Sequence, residues 1–202
     1  MNSNMIKGLI FDCDGTLADT MPLHWRAWNV VTARHRLHFP EERFYAMGGV
    51  PSRDILKLLR EEQRLEIDPL AVAKEKEAEY LHIMHECTPI HEVVEIAREH
   101  HGKIPMAVAS GGLQHIICSV LEKLEIRHFF DAVVTSEMVK NQKPAPDIFL
   151  EAARRIGVEP GFCRAYEDTD LGMTAIRAAG MEAVDVRTLR CHTKLSPAAL
   201  PR

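Results

Sequence analysis

The sequence predicts an α/β fold in which a parallel sheet carries a helical segment inserted after its first strand. Three observations lead there. Short apolar runs of strand character alternate with helical patterns, as a parallel sheet with crossover helices requires. Between about His24 and Glu86 the alternation stops and only helical patterns occur. Carboxylates and one lysine fall just after the apolar runs, where open α/β sheets bind their ligands.

The first predicted strand is residues 6–11, and the others are 106–109, 132–135, 163–166 and 183–186. In the helical stretch, Pro40 opens a short helix at its first position, and Gly48 with Gly49 closes it. Ser52 or Arg53 starts the next helix, which uses Ile55, Leu56, Leu58 and Leu59. Asp68 and Pro69 form an N-cap and first-turn pair for a long, charged helix running to His85. Further on, residues 112–124 place Ile116, Ile117, Val120, Leu121 and Leu124 at helical spacing. Residues 146–156 do the same with Ile148, Phe149, Ala152, Ala153 and Ile156, and Gly157 stops that helix. A helix from about Leu171 ends at Gly180 in the same way. The expected organisation is a catalytic core of residues 1–19 and 87–202 and a helical cap of residues 20–86. The tail after Val186 has little periodicity and is expected to pack loosely.

Composition narrows the function. With 202 residues, 46% of them hydrophobic, the chain is large enough for one domain-sized core. The net charge of −4 leaves no basic excess for a nucleic-acid footprint, and no Lys/Arg block suggests a membrane surface. Apolar runs are too short to span a bilayer. Polar and charged residues interrupt the N-terminal MNSNMIKG, so no secretory signal is expected there. The five cysteines are odd in number, scattered and form no CxxC, which reads as reduced thiols in a cytoplasmic protein. A monomer or weak dimer acting on a small molecule is expected.

Residues 11–20 read FDCDGTLADT, so Asp12 and Asp14 stand two apart directly after a buried strand. Like charges this close repel, and either a solvated turn or a cation must relieve them. Ser110 follows the second strand, Glu167 and Asp168 the fourth, and Lys143 lies in KPAPD before a helix. Carboxylates converging on one crevice need a counter-ion, and hard oxygen ligands suit Mg²⁺. In extended backbone, residues i and i+2 face the same side. Both aspartates can then address one bound group, one as nucleophile and the other as general acid and base. Gly15 permits the sharp turn that follows, and Thr16 offers a hydroxyl and an N–H to an oxyanion. Lys143 would neutralise both the attacking carboxylate and the phosphoryl oxygens, which is most of what phosphoryl transfer needs.

DCDGT, the Ser110 ending MAVAS, Lys143 in KPAPDIF and YEDTDLG together resemble the four ordered motifs of the haloacid dehalogenase-like superfamily, over nearly the whole chain. FDCDGTLADTMPLHWRAW and KPAPDIF are similar to its β-phosphoglucomutase-like subgroup, especially the fructose-1-phosphate phosphatase-like members. The resemblance implies a Rossmann-like core and a phosphatase of sugar phosphates. Asp12 would form an aspartyl-phosphate and Asp14 would serve as acid and base. Mg²⁺ would be held by the Asp12 carboxylate, the Asp14 backbone carbonyl and Asp168, with Glu167 as a ligand or its support. Ser110, with Gly111 in the same turn, and Lys143 would bind the phosphoryl group. The inserted helices would be a cap hinged near Asp19 and Thr20, and His24 and Arg53 would face the substrate.

Mutase relatives carry a lysine just before the cap-loop glycine, whereas this stretch reads AMGGVPSR. A hydrolase is therefore expected over a β-phosphoglucomutase-type mutase. A signalling receiver domain shares the aspartates, Mg²⁺ and lysine, but lacks a helical insertion and takes its phosphate after a middle strand. Plainer readings stand beside some of these residues. Ser110 also suits a helix cap, His24 suits a cap-face histidine bonded to backbone, and Arg53 suits a surface arginine. Cys13, Trp25 and Trp28 read as packing residues, and His82, His85, His100 and His101 as solvated faces.

Overall fold

The computed structural model describes residues 5–190. The N-terminal MNSN, the tail expected to pack loosely from residue 191 onward, and Cys191 lie outside those residues. Five parallel strands form one sheet: β1 (Gly8–Phe11), β2 (Met106–Ser110), β3 (Ala132–Thr135), β4 (Cys163–Glu167) and β5 (Glu182–Asp185), in the order β3-β2-β1-β4-β5. All five predicted strands are present, with ends that differ by at most two residues. β1 is buried along its whole length, as its unbroken apolar sequence GLIF demands of a central strand covered on both faces. Its Phe11 pairs with Val108 of β2 and Tyr166 of β4. That register brings Asp12, Ser110 and Glu167 to one end of the sheet.

Alternation along β1 divides the core. Leu9 and Phe11 face a cluster built with Val93, Val94, Ile117 and Val120. Ile10 faces the opposite layer with Ile148, Phe149, Ala152 and Ile176. The helices supplying these layers are α5 (His91–His100) and α6 (Gln114–Lys123) on one side, α7 (Asp147–Arg155) and α8 (Asp170–Ala178) on the other. A last turn, α9 (Arg187–Arg190), ends the described chain. α5 is absent from the sequence expectation.

Between β1 and α5 run α1 (Met21–His35), α2 (Glu41–Ala46), α3 (Ser52–Gln63) and α4 (Pro69–Ile83). They bury an apolar cluster of their own around Trp28, Val31, Phe44, Leu56, Leu59 and Val72. Trp28 meets Phe39 edge-on and Trp25 stacks on Phe44, so both tryptophans pack as expected. Leu58, expected on the apolar face of α3, is 38% exposed. Asp68 accepts a hydrogen bond from Leu70 N with Pro69 in the first turn, the predicted start of α4. α4 stops at Ile83 instead of His85, because Met84–Glu86 tightens into a 3₁₀ turn. Pro40 stands one place outside α2 in extended conformation. His82 and His85 are exposed. Among the described residues, no helix is long and apolar enough to cross a membrane.

Candidate active site

Asp12 is the first residue beyond β1, and its N–H donates to Tyr166 O, which ties the loop to β4. Its carboxylate is almost fully buried. Lys143, from the loop before α7, sends its ammonium into the same space, 2.7 Å from Asp12 Oδ1 and 2.6 Å from Glu167 Oε2. Glu167 Oε1 accepts from the N–H groups of Asp168 and Thr169 and from the Thr169 hydroxyl. Every oxygen of Glu167 is therefore occupied, and it acts here as the brace that aims Lys143 and the start of α8. Carboxylate oxygens of Asp12, Glu167 and Asp168 lie within 4.8 Å of one another, which is enough convergence to hold a metal ion.

The Asp14 side chain leaves that cluster and turns toward the inserted helices. Thr20 Oγ1 donates to Asp14 Oδ1 at 2.6 Å, and His24 Nε2 lies 3.3 Å from the same oxygen. The His24 ring stacks on Tyr80 with 3.9 Å between centroids, and its Nδ1 is 2.8 Å from Lys76 Nζ. A lysine ammonium can only donate, so Nδ1 accepts and the ring's own proton sits on Nε2, directed at Asp14. His24 is thus neither a surface histidine nor backbone-bonded. It is the middle of a chain from Lys76 to Asp14. Lys76 was invisible as a site residue in the sequence, although Val72, Lys76 and Tyr80 share an i, i+4 face whose other two members are apolar.

The turn after Asp14 depends on Gly15. Its φ is +85°, and a Cβ there would collide with the Asp168 carboxylate. Thr16, expected as an oxyanion donor, has both of its donors bonded within the protein. Its hydroxyl donates to Asp168 Oδ1 at 3.1 Å and its N–H to Cys13 O, so both groups fasten the loop internally. Arg190 of α9 reaches back to donate to Gly15 O. Cys13 points away from the crevice into the core, as expected.

Ser110 ends β2 with its Oγ 3.5 Å from Asp14 Oδ2 and accepts from Gly112 N. It closes that turn and does not cap α6, whose Gln114 N–H goes to the Glu137 carboxylate. Gly111 is needed for a different reason from Gly15. A Cβ on it would stand 2.5 Å from Gly49 O, so the core turn and the loop between α2 and α3 meet backbone to backbone. Arg53 lies on the rim in the first turn of α3, half exposed, with its Nε 3.5 Å from Asp54. A cavity of about 490 Å³, ordinary for a small-molecule site, connects Asp12, Asp14 and Ser110 with Trp28, Ser52 and Glu77.

Burial, reinforced by Glu167 and only partly offset by Lys143, pushes Asp12 well above the usual carboxylate range. Asp168 is raised to about 7, first by burial and then by Glu167, against the Thr16 hydrogen bond and Lys143. Burial alone would raise Asp14 too, but hydrogen bonds from His24 and Thr20 and the charge of Lys76 outweigh it and leave about 2. Lys143 loses solvent but gains two carboxylates, and its proton is held more tightly than in water. The site therefore opposes a proton-hungry cluster of Asp12 and Asp168 with a firmly ionised Asp14, a separation expected where acid–base and charge-binding tasks are divided.

Fold and crevice together define a Rossmann-like α/β enzyme with a carboxylate centre at the ends of its strands. Residues 9–186 match the haloacid dehalogenase-like hydrolase family, and the chain belongs to it. It is 43% identical over 183 residues to the fructose-1-phosphate phosphatase YqaB of Escherichia coli, covering 90% of this chain and 97% of that protein. It is 29% identical to the β-phosphoglucomutase of Bacillus subtilis, covering 90% of this chain and 83% of that one. A β-phosphoglucomutase structure from Clostridium difficile matches with a TM-score of 0.80 and 25% identity, over 92% of this chain and 88% of that chain.

Proposed function

We propose that the chain is a Mg²⁺-dependent phosphatase that hydrolyses a small phosphorylated sugar through an aspartyl-phosphate on Asp12. The observation that carries this reading is the division of the two aspartates. Asp12 lies buried against Lys143, while Asp14 faces the inserted helices in the grip of Thr20 and His24. A phosphoryl group between them would meet a nucleophile on one side and a proton carrier on the other. The likeness to a fructose-1-phosphate phosphatase supports a sugar phosphate as substrate.

The donor set suits Mg²⁺, because the converging side-chain ligand atoms are all carboxylate oxygens. Asp12, Asp168 and the Asp14 backbone carbonyl would hold it, with Glu167 bracing. When bound, the ion neutralises charge on the phosphoryl oxygens.

The protein's own groups perform the rest. Asp12 Oδ attacks phosphorus in line with the leaving oxygen, and Lys143 balances the charge on both partners. A dianionic phosphoryl group beside Asp14 raises its proton affinity, so Asp14 arrives at the first step as an acid and protonates the leaving alkoxide. Once the alcohol leaves, Asp14 is a carboxylate again and draws a proton from the water that hydrolyses the aspartyl-phosphate. His24, held by Lys76 and Tyr80, keeps Asp14 aimed through both steps. Residues 20–86 would act as a cap that opens at Asp19 and Thr20 to admit substrate and excludes water when shut. Their separate apolar cluster supports this. We take the enzyme to work in the cytoplasm as a monomer or weak dimer, with no nucleic-acid or membrane partner.

The likeness to β-phosphoglucomutases favours one alternative, phosphoryl transfer to a sugar hydroxyl instead of water. Product analysis decides. With a panel of sugar phosphates and Mg²⁺, free phosphate is expected. An isomerised sugar phosphate, formed from β-glucose 1-phosphate with a bisphosphate primer, would make it a mutase.

A further inference from the structure

The cavity that Asp12 borders is also lined by a carboxylate that the chemistry above leaves unused. Glu77, on α4 next to Lys76, lines the cavity. Its Oε1 accepts from Ser52 Oγ at 2.7 Å and from Lys76 Nζ at 3.2 Å. Oε2 has no hydrogen-bond partner among the described residues. Burial disfavours its charge, but Lys76, His24 and the Ser52 hydroxyl prevail, so Glu77 titrates below the ordinary glutamate range.

We propose that Glu77 is a specificity residue, whose carboxylate accepts hydroxyls from the sugar and repels a second phosphate. The enzyme is thereby restricted to monophosphates with a neutral polyhydroxy leaving group. This deepens the phosphatase reading and rests on it.

Three points of geometry and charge support the assignment. First, contacts run from the leaving-group side of the site to Glu77 without a gap. Asp14 meets His24 at 3.3 Å, His24 meets Lys76 at 2.8 Å, and Lys76 meets Glu77 at 3.2 Å. A sugar esterified at the phosphoryl group occupies this interval. Second, the Ser52 bond ties Glu77 to the start of α3, so the carboxylate is held in place at little further cost in entropy on binding. An anchored carboxylate with an unoccupied oxygen is a strong acceptor for sugar hydroxyls.

Third, the buried charges cancel. The Lys76 ammonium is the cation a second phosphate would seek, and Glu77 and Asp14 already balance it. Arg53 and Lys74 also border the cavity, but both are exposed and Arg53 is turned to Asp54. Solvent and salt screen exposed charges, while the largely covered Glu77 carboxylate, with a side chain 15% exposed, is screened less. A second phosphate in this interval would thus find no free buried cation and would lie beside the Glu77 carboxylate.

The test compares kcat/KM for fructose 1-phosphate with fructose 1,6-bisphosphate, and glucose 1-phosphate with glucose 1,6-bisphosphate, in the wild type, Glu77→Gln and Glu77→Asp. The expected result is a wild-type preference for the monophosphate that falls at least tenfold in Glu77→Gln and is kept in Glu77→Asp. Retention of the preference in Glu77→Gln overturns the inference alone. A wild type that releases no phosphate from any of the four overturns the phosphatase reading and this inference with it. A measurement without variants guards against a Gln variant that does not fold. The bisphosphate should inhibit the wild type with a Ki at least tenfold above the KM of its monophosphate, and a Ki at or below that KM contradicts the assignment.

Discussion

Lys143 Nζ lies 2.6 Å from Glu167 Oε2, with both side chains only 1% exposed, and the same ammonium reaches Asp12 at 2.7 Å. One cation thus serves two buried carboxylates from different strands. Lys143→Met would leave Asp12 and Glu167 facing each other without a counter-charge. Breaking a buried pair from one side costs about 3–5 kcal/mol, so the variant should unfold at clearly lower denaturant and have lost turnover. A midpoint equal to the wild type would mean that the ammonium does not hold this end of the sheet together.

His24 sets the charge state of Asp14. His24→Phe keeps a ring against Tyr80 but removes the bond to Asp14, whose pKa should then rise from about 2 toward the ordinary value. A depressed carboxylate stabilises the fold above its unfolded pKa of about 3.9 and stops doing so as pH falls through its folded value. The variant should therefore be less stable by about 2 kcal/mol above pH ~4, with the gap closing toward pH ~2. A pH-independent gap in chemical denaturation would assign the loss to packing instead.

Asp168 predicts the opposite slope. Raised to about 7 by burial and by Glu167, its carboxyl group destabilises the fold progressively as pH climbs from the unfolded value of about 4 through 7. Protein in EDTA should lose melting temperature from pH ~5 to ~8. Mg²⁺ at excess should restore it, and most strongly at the alkaline end, where no proton has to be displaced. A Mg²⁺-induced rise that is equal at pH 5 and pH 8 would exclude Asp168 from the ligand set.

Gly15 carries two requirements at once, a φ of +85° and the absence of a Cβ beside Asp168. Gly15→Ala should destabilise by roughly 1–3 kcal/mol from strain and weaken Mg²⁺ binding, since relief of the clash moves Asp168. Isothermal titration with Mg²⁺ checks it, and wild-type affinity in a folded variant would contradict the proposed role of that carboxylate.

How much of this was legible depends on where each residue sits. Asp12, Lys143, Glu167 and Asp168 could be located from sequence because strand ends of a parallel sheet converge, and charged residues there are conspicuous. Nothing local to Thr16 shows that its hydroxyl reaches Asp168, 152 residues away. α5 was missed because only Val93, Val94 and Ala97 are buried among charged neighbours, too few to stand out as a period. Lys76 and Glu77 lie in a helix crowded with Lys74, Glu75 and Glu79, and nothing local marks which charges turn inward. Only the packing of α4 against α1 and α3 decides that.

Attack of Asp12 on phosphorus is tested by the release of inorganic phosphate from fructose 1-phosphate in Mg²⁺ by the wild type and Asp12→Asn. Steady turnover is expected of the wild type, and a loss of about 10³-fold or more in a variant that still melts cooperatively. Phosphate release by Asp12→Asn within about tenfold of the wild type would contradict it.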